Sequence, residues 1–302
     1  MKKFYANGKL LLTGEYVVLD GALALALPTQ YGQGLVVEER KEKGLKWESY
    51  DEHGKTWLQN VFPHFNIPVD NPSVEKLRLI FKAILELNPD FQHDHTILST
   101  HLTFPKDWGL GSSSTLISLL SQWAEVNPFE LLEKTFGGSG YDIACATSDE
   151  PILYQLETIE DKIVPTYQTA YFEPSFDEHL YFVYLGNKQN SREGIKRYKS
   201  KVKKVNSAIE DITEITKKIY HTKSLLKFEM HLKKHETIIS KLIGLPKVQD
   251  KHFEYYWGVV KSLGAWGGDF VLATSHKSYE ETKRYFNEKG FDVFLRYEEM
   301  VL

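Results

Sequence analysis

The chain has a single cysteine, Cys145, so no internal disulfide can form, and a lone free thiol suits a reducing compartment. A small thiol of this kind packs a helix more readily than it attacks a substrate. No apolar run reaches membrane-spanning length and no signal-peptide core stands at the start, so the expectation is a cytoplasmic protein with no membrane partner. Positive charge is not in surplus. The 37 Lys and Arg against 41 Asp and Glu leave a net −4 at pH 7, which removes the electrostatic basis for nucleic-acid binding. Repeats and low-complexity tracts are missing too. No glycine-rich turn is followed by Lys-Ser or Lys-Thr at P-loop spacing. The pair Gly109 and Gly111 lacks the third glycine of a dinucleotide fingerprint. The eleven histidines show no metal-ligand spacing. His231 and His235, four apart on a helix, lack the acidic residue of a zinc-protease motif and are expected to face solvent.

What is present is a core. With 302 residues, 42% hydrophobic and 26% charged, the chain suits one large or two medium globular domains. The first third reads as mostly β. A hairpin turning at Asn7-Gly8, a small apolar run ending at Pro28, and strands over residues 34–39 and 45–50 are expected. A helix over residues 73–87 with Ser73 as cap, then a strand over residues 96–102, follow. Further on come a helix from about Ser113, a short helix from Pro128, and a small-residue helix from Tyr141. Strands over 152–156 and 180–185 flank a stretch, 157–174, with few periodic features, which sets expected domains of 1–165 and 166–302. Helices then dominate to about residue 263, including one over 250–263. Strands at 270–274 and 292–296 and a helix at 279–288 close the chain. Trp57, Trp108 and Trp123 are expected in the core or a pocket wall.

The most informative stretch lies between the strand and the helix: Pro105, Trp108, Gly109, Leu110, Gly111, Ser112, Ser113, Ser114. Glycines let a ligand approach the main chain, and a helix N-terminus exposes unpaired N–H groups and partial positive charge. The pair is a phosphate site in outline, and equally an ordinary serine-capped helix. Two more glycine-rich turns, at residues 137–140 and 264–268, suggest a ligand with several negative oxygens. The lysines from Lys196 to Lys204 read as a solvated helix face or as a site for an anionic substrate.

Four stretches together resemble the GHMP kinases, the family of galactokinase, homoserine kinase, mevalonate kinase and phosphomevalonate kinase. They are residues 8–16 (Gly8, Lys9, Gly14, Glu15, Tyr16), the loop at 109–114, residues 138–142 (Gly138, Ser139, Gly140, Tyr141, Asp142), and residues 261–269, which end in Asp269. They occur in the family's order. Tyr16 after Gly-Glu, Asp269, and the run Asn190, Ser191, Arg192 look most like the mevalonate-pathway branch. The resemblance implies an α+β, two-domain fold: a first domain like domain 2 of ribosomal protein S5 and a ferredoxin-like second domain. It also implies transfer of the ATP γ-phosphoryl group to phosphomevalonate or mevalonate.

By the same resemblance, residues Gly109 to Ser114 hold the ATP phosphates, and Ser113 with Glu133, or Glu130 in its place, holds Mg²⁺. Asp142 takes the acceptor's proton and Lys9 stabilises the transferring charge. Glu15, Tyr16, Ser139, Gly140, Ser191, Arg192, Gly264 and Ala265 lie at the acceptor. The implied partners are a small-molecule acid and, at most, a second copy of the chain. Trp266 departs from the family's run of small residues, where an indole either blocks the backbone or stacks on a ligand. A homoserine or sugar kinase, a non-catalytic relative and a decarboxylase of the same fold are the alternatives.

Overall fold

The computed structural model describes residues 1–186, 191–201, 205–266 and 269–302, without the side chains of residues 191, 192 and 201. The chain divides into two units: residues 1–8, 31–106 and 110–147 form the first, and residues 9–30, 107–109 and 148–302 the second. Strands β1 (Lys2–Thr13) and β2 (Ala24–Glu39) supply residues to both. β1 passes through Asn7 and Gly8 without the expected turn. Asn7 is buried, and neither residue takes the left-handed conformation that a two-residue hairpin requires. β2 likewise runs on through Pro28, where two separate segments were expected. Proline offers no N–H, but its carbonyl still accepts from the Leu302 N–H at 3.1 Å.

The first unit continues with β3 (Leu45–Tyr50), β4 (Thr56–Phe62), α1 (Pro72–Leu87), β5 (Thr96–Leu102), α2 (Ser112–Ala124), α3 (Pro128–Thr135) and α4 (Tyr141–Ala146). Its strands lie in the order β4-β3-β5-β2. β3 and β5 are parallel, with β4 and α1 making up the long connection that such a pair needs, and β2 is antiparallel to β5 from Gln33↔Leu102 to Glu39↔Thr96. β4 was not foreseen in the sequence. Its residues are mostly exposed or half-buried, so it carries no strong apolar alternation.

The cap of α1 is Asn71, not Ser73. The Asn71 side chain accepts from the N–H groups of Ser73 and Val74, and Pro72 takes the first helical position. The apolar face of α1 (Val74, Leu77, Ile80, Phe81, Ile84) enters a core shared with Trp47, Leu98, Leu120 and Trp123. Phe81 is its centre, stacked on Phe65 at 4.7 Å and edge-on to Trp47 and Trp123. Trp123 is buried as expected, whereas Trp57 is 39% exposed and sits under the Lys106 ammonium at 4.3 Å.

The second unit adds β6 (Ile152–Ile159), β7 (Lys162–Thr169), β8 (Leu180–Tyr184), α5 (Ser191–Lys201), α6 (Asn206–His221), α7 (Leu225–Ile243) and α8 (Val248–His252). β9 (Val260–Ser262), β10 (Phe270–Thr274), α9 (Tyr279–Glu288), β11 (Phe294–Arg296) and α10 (Tyr297–Met300) complete it. The stretch expected to be featureless is the β6–β7 hairpin, turned by Glu160 and Asp161 at φ 47° and 62°. β7 is largely exposed, which erased its periodic signal. The expected helix over 250–263 is only α8. Val260–Ser262 instead pair with β10 in an antiparallel sheet of order β11-β8-β10-β9. Among the described residues no helix is long and apolar enough to cross a membrane. Phe81→Ala empties the middle of the first core and is expected to cost about 3–5 kcal/mol in urea denaturation.

Candidate active site

After β5 the chain enters the glycine-serine loop. The Tyr184 hydroxyl donates to the Asp107 carbonyl at 3.0 Å, and Trp108 packs edge-on to Phe270 at 5.4 Å. Gly109 follows at φ 70°, and a methyl group there would meet the Asp269 carboxyl carbon at 2.2 Å. The position therefore excludes side chains on both conformational and steric grounds. Lys9 Nζ donates to the Gly109 carbonyl at 3.2 Å, so a motif lysine and a loop residue 100 positions apart meet in the second unit.

In the first unit, fully buried Leu110 anchors the next step of the loop, and Gly111 at φ 96° opens α2. No side chain caps this helix. The serines do not act as caps: the Ser114 hydroxyl donates back to the Gly111 carbonyl at 2.8 Å, and Thr115 binds Gln33 at 2.7 Å. The first helical bond runs from the Thr115 N–H to Gly111, so the N–H groups of residues 112–114 have no partner within the helix. Ser113 is exposed. An uncapped helix start after a left-handed glycine is suited to an anion.

The second glycine-rich turn leads through half-buried Ser139 and buried Gly140, at φ 85°, into α4. Asp142 stands in the first turn of α4, half-buried, with Oδ1 accepting from the Ile143 N–H at 3.1 Å. Glu130 and Glu133 are both exposed on α3, also in the first unit. Among the described residues no group of three or more His, Cys, Asp or Glu side chains forms a metal cage. An exposed hydroxyl and one exposed carboxylate are hard oxygen donors. They suit Mg²⁺, which keeps waters and relies on phosphate oxygens for the rest of its shell.

The turn after β1 is built differently. Glu15 is 1% exposed, and its Oε1 is bound to the ammonium of fully buried Lys261. Tyr16 follows in a left-handed backbone, φ 65°, a costly conformation for a bulky residue. Its ring stacks on Tyr198 of α5 at 5.9 Å, and its hydroxyl accepts from the Trp266 N–H at 3.0 Å. Burial raises the Tyr16 hydroxyl above its ordinary value, so it stays protonated. Trp266 itself is buried, and its indole N–H donates to the Pro246 carbonyl at 2.8 Å. The ring that interrupts the small-residue run thus packs into the second unit.

His231 and His235 do not face solvent. Both are buried, His235 completely, on the same α7 face as Phe228, Leu232, Glu236 and Ile239. Burial pushes His235 well below its usual value, so the ring is neutral. The Gly14 N–H donates to His235 Nε2 at 3.0 Å, which places the ring proton on Nδ1. The 3.2 Å approach of Nε2 to Glu15 Oε2 is accordingly not an ion pair. Glu236, also buried, accepts from the Ser262 N–H at 3.3 Å and lies 3.9 Å from Lys261. Burial drives its carboxyl up to about 8, with Lys261 opposing and Glu15 reinforcing the shift.

Of these residues, reading the motifs gave no role to Lys261 or Glu236 and misplaced His235. The 3.6-residue spacing of Phe228, Leu232, His235 and Ile239 was the available signal. Asn190, Val202, Lys203, Lys204, Gly267 and Gly268, and the side chains of Ser191 and Arg192, lie outside the described residues. Gly264, at φ 67°, and Ala265 are half-buried beside Trp266.

No family model matches the chain, and no curated protein matches it. Solved structures do. Phosphomevalonate kinase from Streptococcus pneumoniae, in complex with phosphomevalonate and AMPPNP, aligns over 98% of this chain and 100% of its own at 17% identity, TM-score 0.72. L. major mevalonate kinase in complex with R-mevalonate aligns over 98% and 95% at 16% identity, TM-score 0.68. Lactococcus lactis galactokinase complexed with galactose aligns over 98% and 92% at 13% identity, TM-score 0.67. At such identities the likeness is one of fold, and the chain has the two-domain α+β fold of the GHMP kinases.

Two outcomes follow from the geometry. Gly109→Ala, which drives a methyl into Asp269 at positive φ, is expected to lower stability by about 1–3 kcal/mol in thermal melts. Glu236 binds its proton more tightly folded than unfolded, so between its ordinary range and about 8 the folded state carries more protons and stability falls as pH rises. Glu236→Gln is expected to abolish that fall, seen as denaturation midpoints that agree at acid pH and separate towards alkaline pH, with the wild type the less stable.

Proposed function

We propose that the chain is an ATP- and Mg²⁺-dependent small-molecule kinase that transfers the γ-phosphoryl group to a mevalonate-pathway acid, phosphomevalonate or mevalonate. The observation that carries the reading is the uncapped start of α2 behind the left-handed Gly111. Phosphoryl transfer needs held phosphates, neutralised charge and an aligned acceptor. Gly109, Leu110, Gly111, Ser112, Ser113 and Ser114 supply the first through backbone N–H groups and the helix end. Ser113 and Glu133, with Glu130 as the competing carboxylate, would hold Mg²⁺, which when bound neutralises charge on the β- and γ-phosphates.

Lys9 is the cation that stabilises negative charge on the moving group as the bond to ADP breaks. Asp142 accepts or orients the proton of an attacking hydroxyl. A phosphate acceptor has no such proton to lose, and Asp142 then matters less than Lys9. Ser139, Gly140, Gly264 and Ala265, with Ser191 and Arg192, contact the acceptor. Glu15 and Tyr16, whose side chains are buried, support that region from beneath the surface. Mevalonate-pathway specificity rests on Tyr16, Asp269 and the 190–192 run. The second reading, a homoserine or sugar kinase, is favoured by the equally full-length likeness to a galactokinase.

An ADP-coupled assay across phosphomevalonate, mevalonate, homoserine and galactose tests both readings. Turnover confined to the first two acids supports the leading one, and turnover on galactose or homoserine alone replaces it with the second. Asp142→Ala with a hydroxyl acceptor and Lys9→Ala with any acceptor are each expected to lower kcat at least about a hundredfold in folded protein. Wild-type rates in both would remove them from the mechanism. Absence of ATP–Mg²⁺ binding by calorimetry would point to a non-catalytic relative.

A further inference from the structure

Glu15, His235, Glu236 and Lys261 come from three places in the second unit: the turn after β1, α7 and β9. All four are no more than 2% exposed. Stability alone does not explain them, because apolar residues of similar volume commonly hold a core as well as or better than buried ions. Nor is the group fully satisfied: Glu15 Oε2, Glu236 Oε1, His235 Nδ1 and Ser262 Oγ have no hydrogen-bond partner. A cluster retained under these conditions is best explained by what it fixes in place.

Lys261 is the hub. Its ammonium binds Glu15 and the Ser262 carbonyl, and Glu236 lies on its other side. His235 adds a second hold on the same turn through the Gly14 N–H. From Glu15 the contacts run outward along two lines. Burial raises the Glu15 carboxyl above its ordinary value; Lys261 opposes that shift, and the Gly264 backbone, which lies against the carboxyl, opposes it further. The neighbouring Tyr16 takes the Trp266 N–H. Residues 264–266 are thus held at both ends by consecutive residues of one turn. Tyr16 can keep its unfavourable left-handed backbone only because its surroundings over-determine it. Those surroundings are Tyr198, Trp266 and Gly194, whose close approach to the Tyr16 hydroxyl leaves no room for a side chain.

We propose that Lys261, His235 and Glu236 are positioning residues: together they lock Glu15 and Tyr16, and through them the loop of residues 264–266, into the geometry that binds the phosphoryl acceptor. The proposal rests on the reading above that Gly264 and Ala265 contact the acceptor. The charge count is part of the device. One ammonium faces two carboxyls across a neutral imidazole, so Glu236 keeps its proton and acts as a neutral hydrogen-bonding group. Lys247 is the other charge felt by Glu236. Glu236→Gln preserves that neutrality, whereas Lys261→Met leaves Glu15 buried without its counter-charge. The double variant Lys261→Met with Glu15→Gln removes both charges at once and guards against simple misfolding.

The test has two arms on the full chain. The first is hydrogen exchange by mass spectrometry, comparing the peptide covering residues 264–266 with that covering β10. In the double variant, protection at 264–266 is expected to fall at least about tenfold while β10 is unchanged. The second arm is kinetics on the acceptor that the panel identifies. KM for the acceptor is expected to rise at least about tenfold in the double variant, with KM for ATP within about threefold of the wild type. A uniform loss of protection overturns the positioning role, and selective loss with unchanged acceptor KM overturns its link to acceptor binding. If the wild type turns over no acceptor, the kinase reading fails on its own, and the exchange arm still decides whether the lock exists.

Discussion

The second unit depends on one buried ion pair, Glu15 with Lys261. A carboxylate and an ammonium removed from water need each other, because either one alone would be a buried charge without its counter-charge. That requirement ties a turn near residue 15 to a strand near residue 261 and to the helix carrying His235 and Glu236. It cannot be met by sliding any one of these elements. The strained backbone of Tyr16, its stack on Tyr198 and its hold on Trp266 are organised around the same point.

The loop after β5 follows a contrasting logic. There the chain leaves polar groups open: a helix begins without a side-chain cap, and its serines turn their hydroxyls elsewhere or outward. An unsatisfied helix end at an exposed position is tolerated because water can serve it, and that same exposure makes it available to an anion. Within the second unit, Asp269 against Gly109 and Lys9 on the Gly109 carbonyl link three of the sequence motifs through contacts at one glycine. Buried and closed where it must be rigid, open where it must accept a ligand, the chain distributes its polar groups in two distinct ways.

Trp266 shows how a departure from a motif can be absorbed by packing. In a run of small residues an indole looks like an obstruction. Its ring is buried and bound to the Pro246 carbonyl, while its backbone N–H is spent on Tyr16. The side chain and the main chain of one residue therefore both serve to fasten the loop.

The sequence by itself determined the elements with strong local signals: α1, β5, α2 with its glycine entry, α3 behind Pro128, and the order of the four motifs. It misjudged what local chemistry does not decide. Asn7-Gly8 has the composition of a hairpin turn, but pairing and burial keep β1 extended. β4 and β7 hide because exposed strands show little alternation, and Val260–Ser262 become strand only because β10 is there to pair with them. The helical spacing of α7 marks His235 as inward-facing, but its meeting with Lys261 and Glu236 around Glu15 belonged to the tertiary structure. A lysine and a glutamate read as surface residues unless three distant segments converge, and only that convergence supplies the counter-charge and the burial that define them.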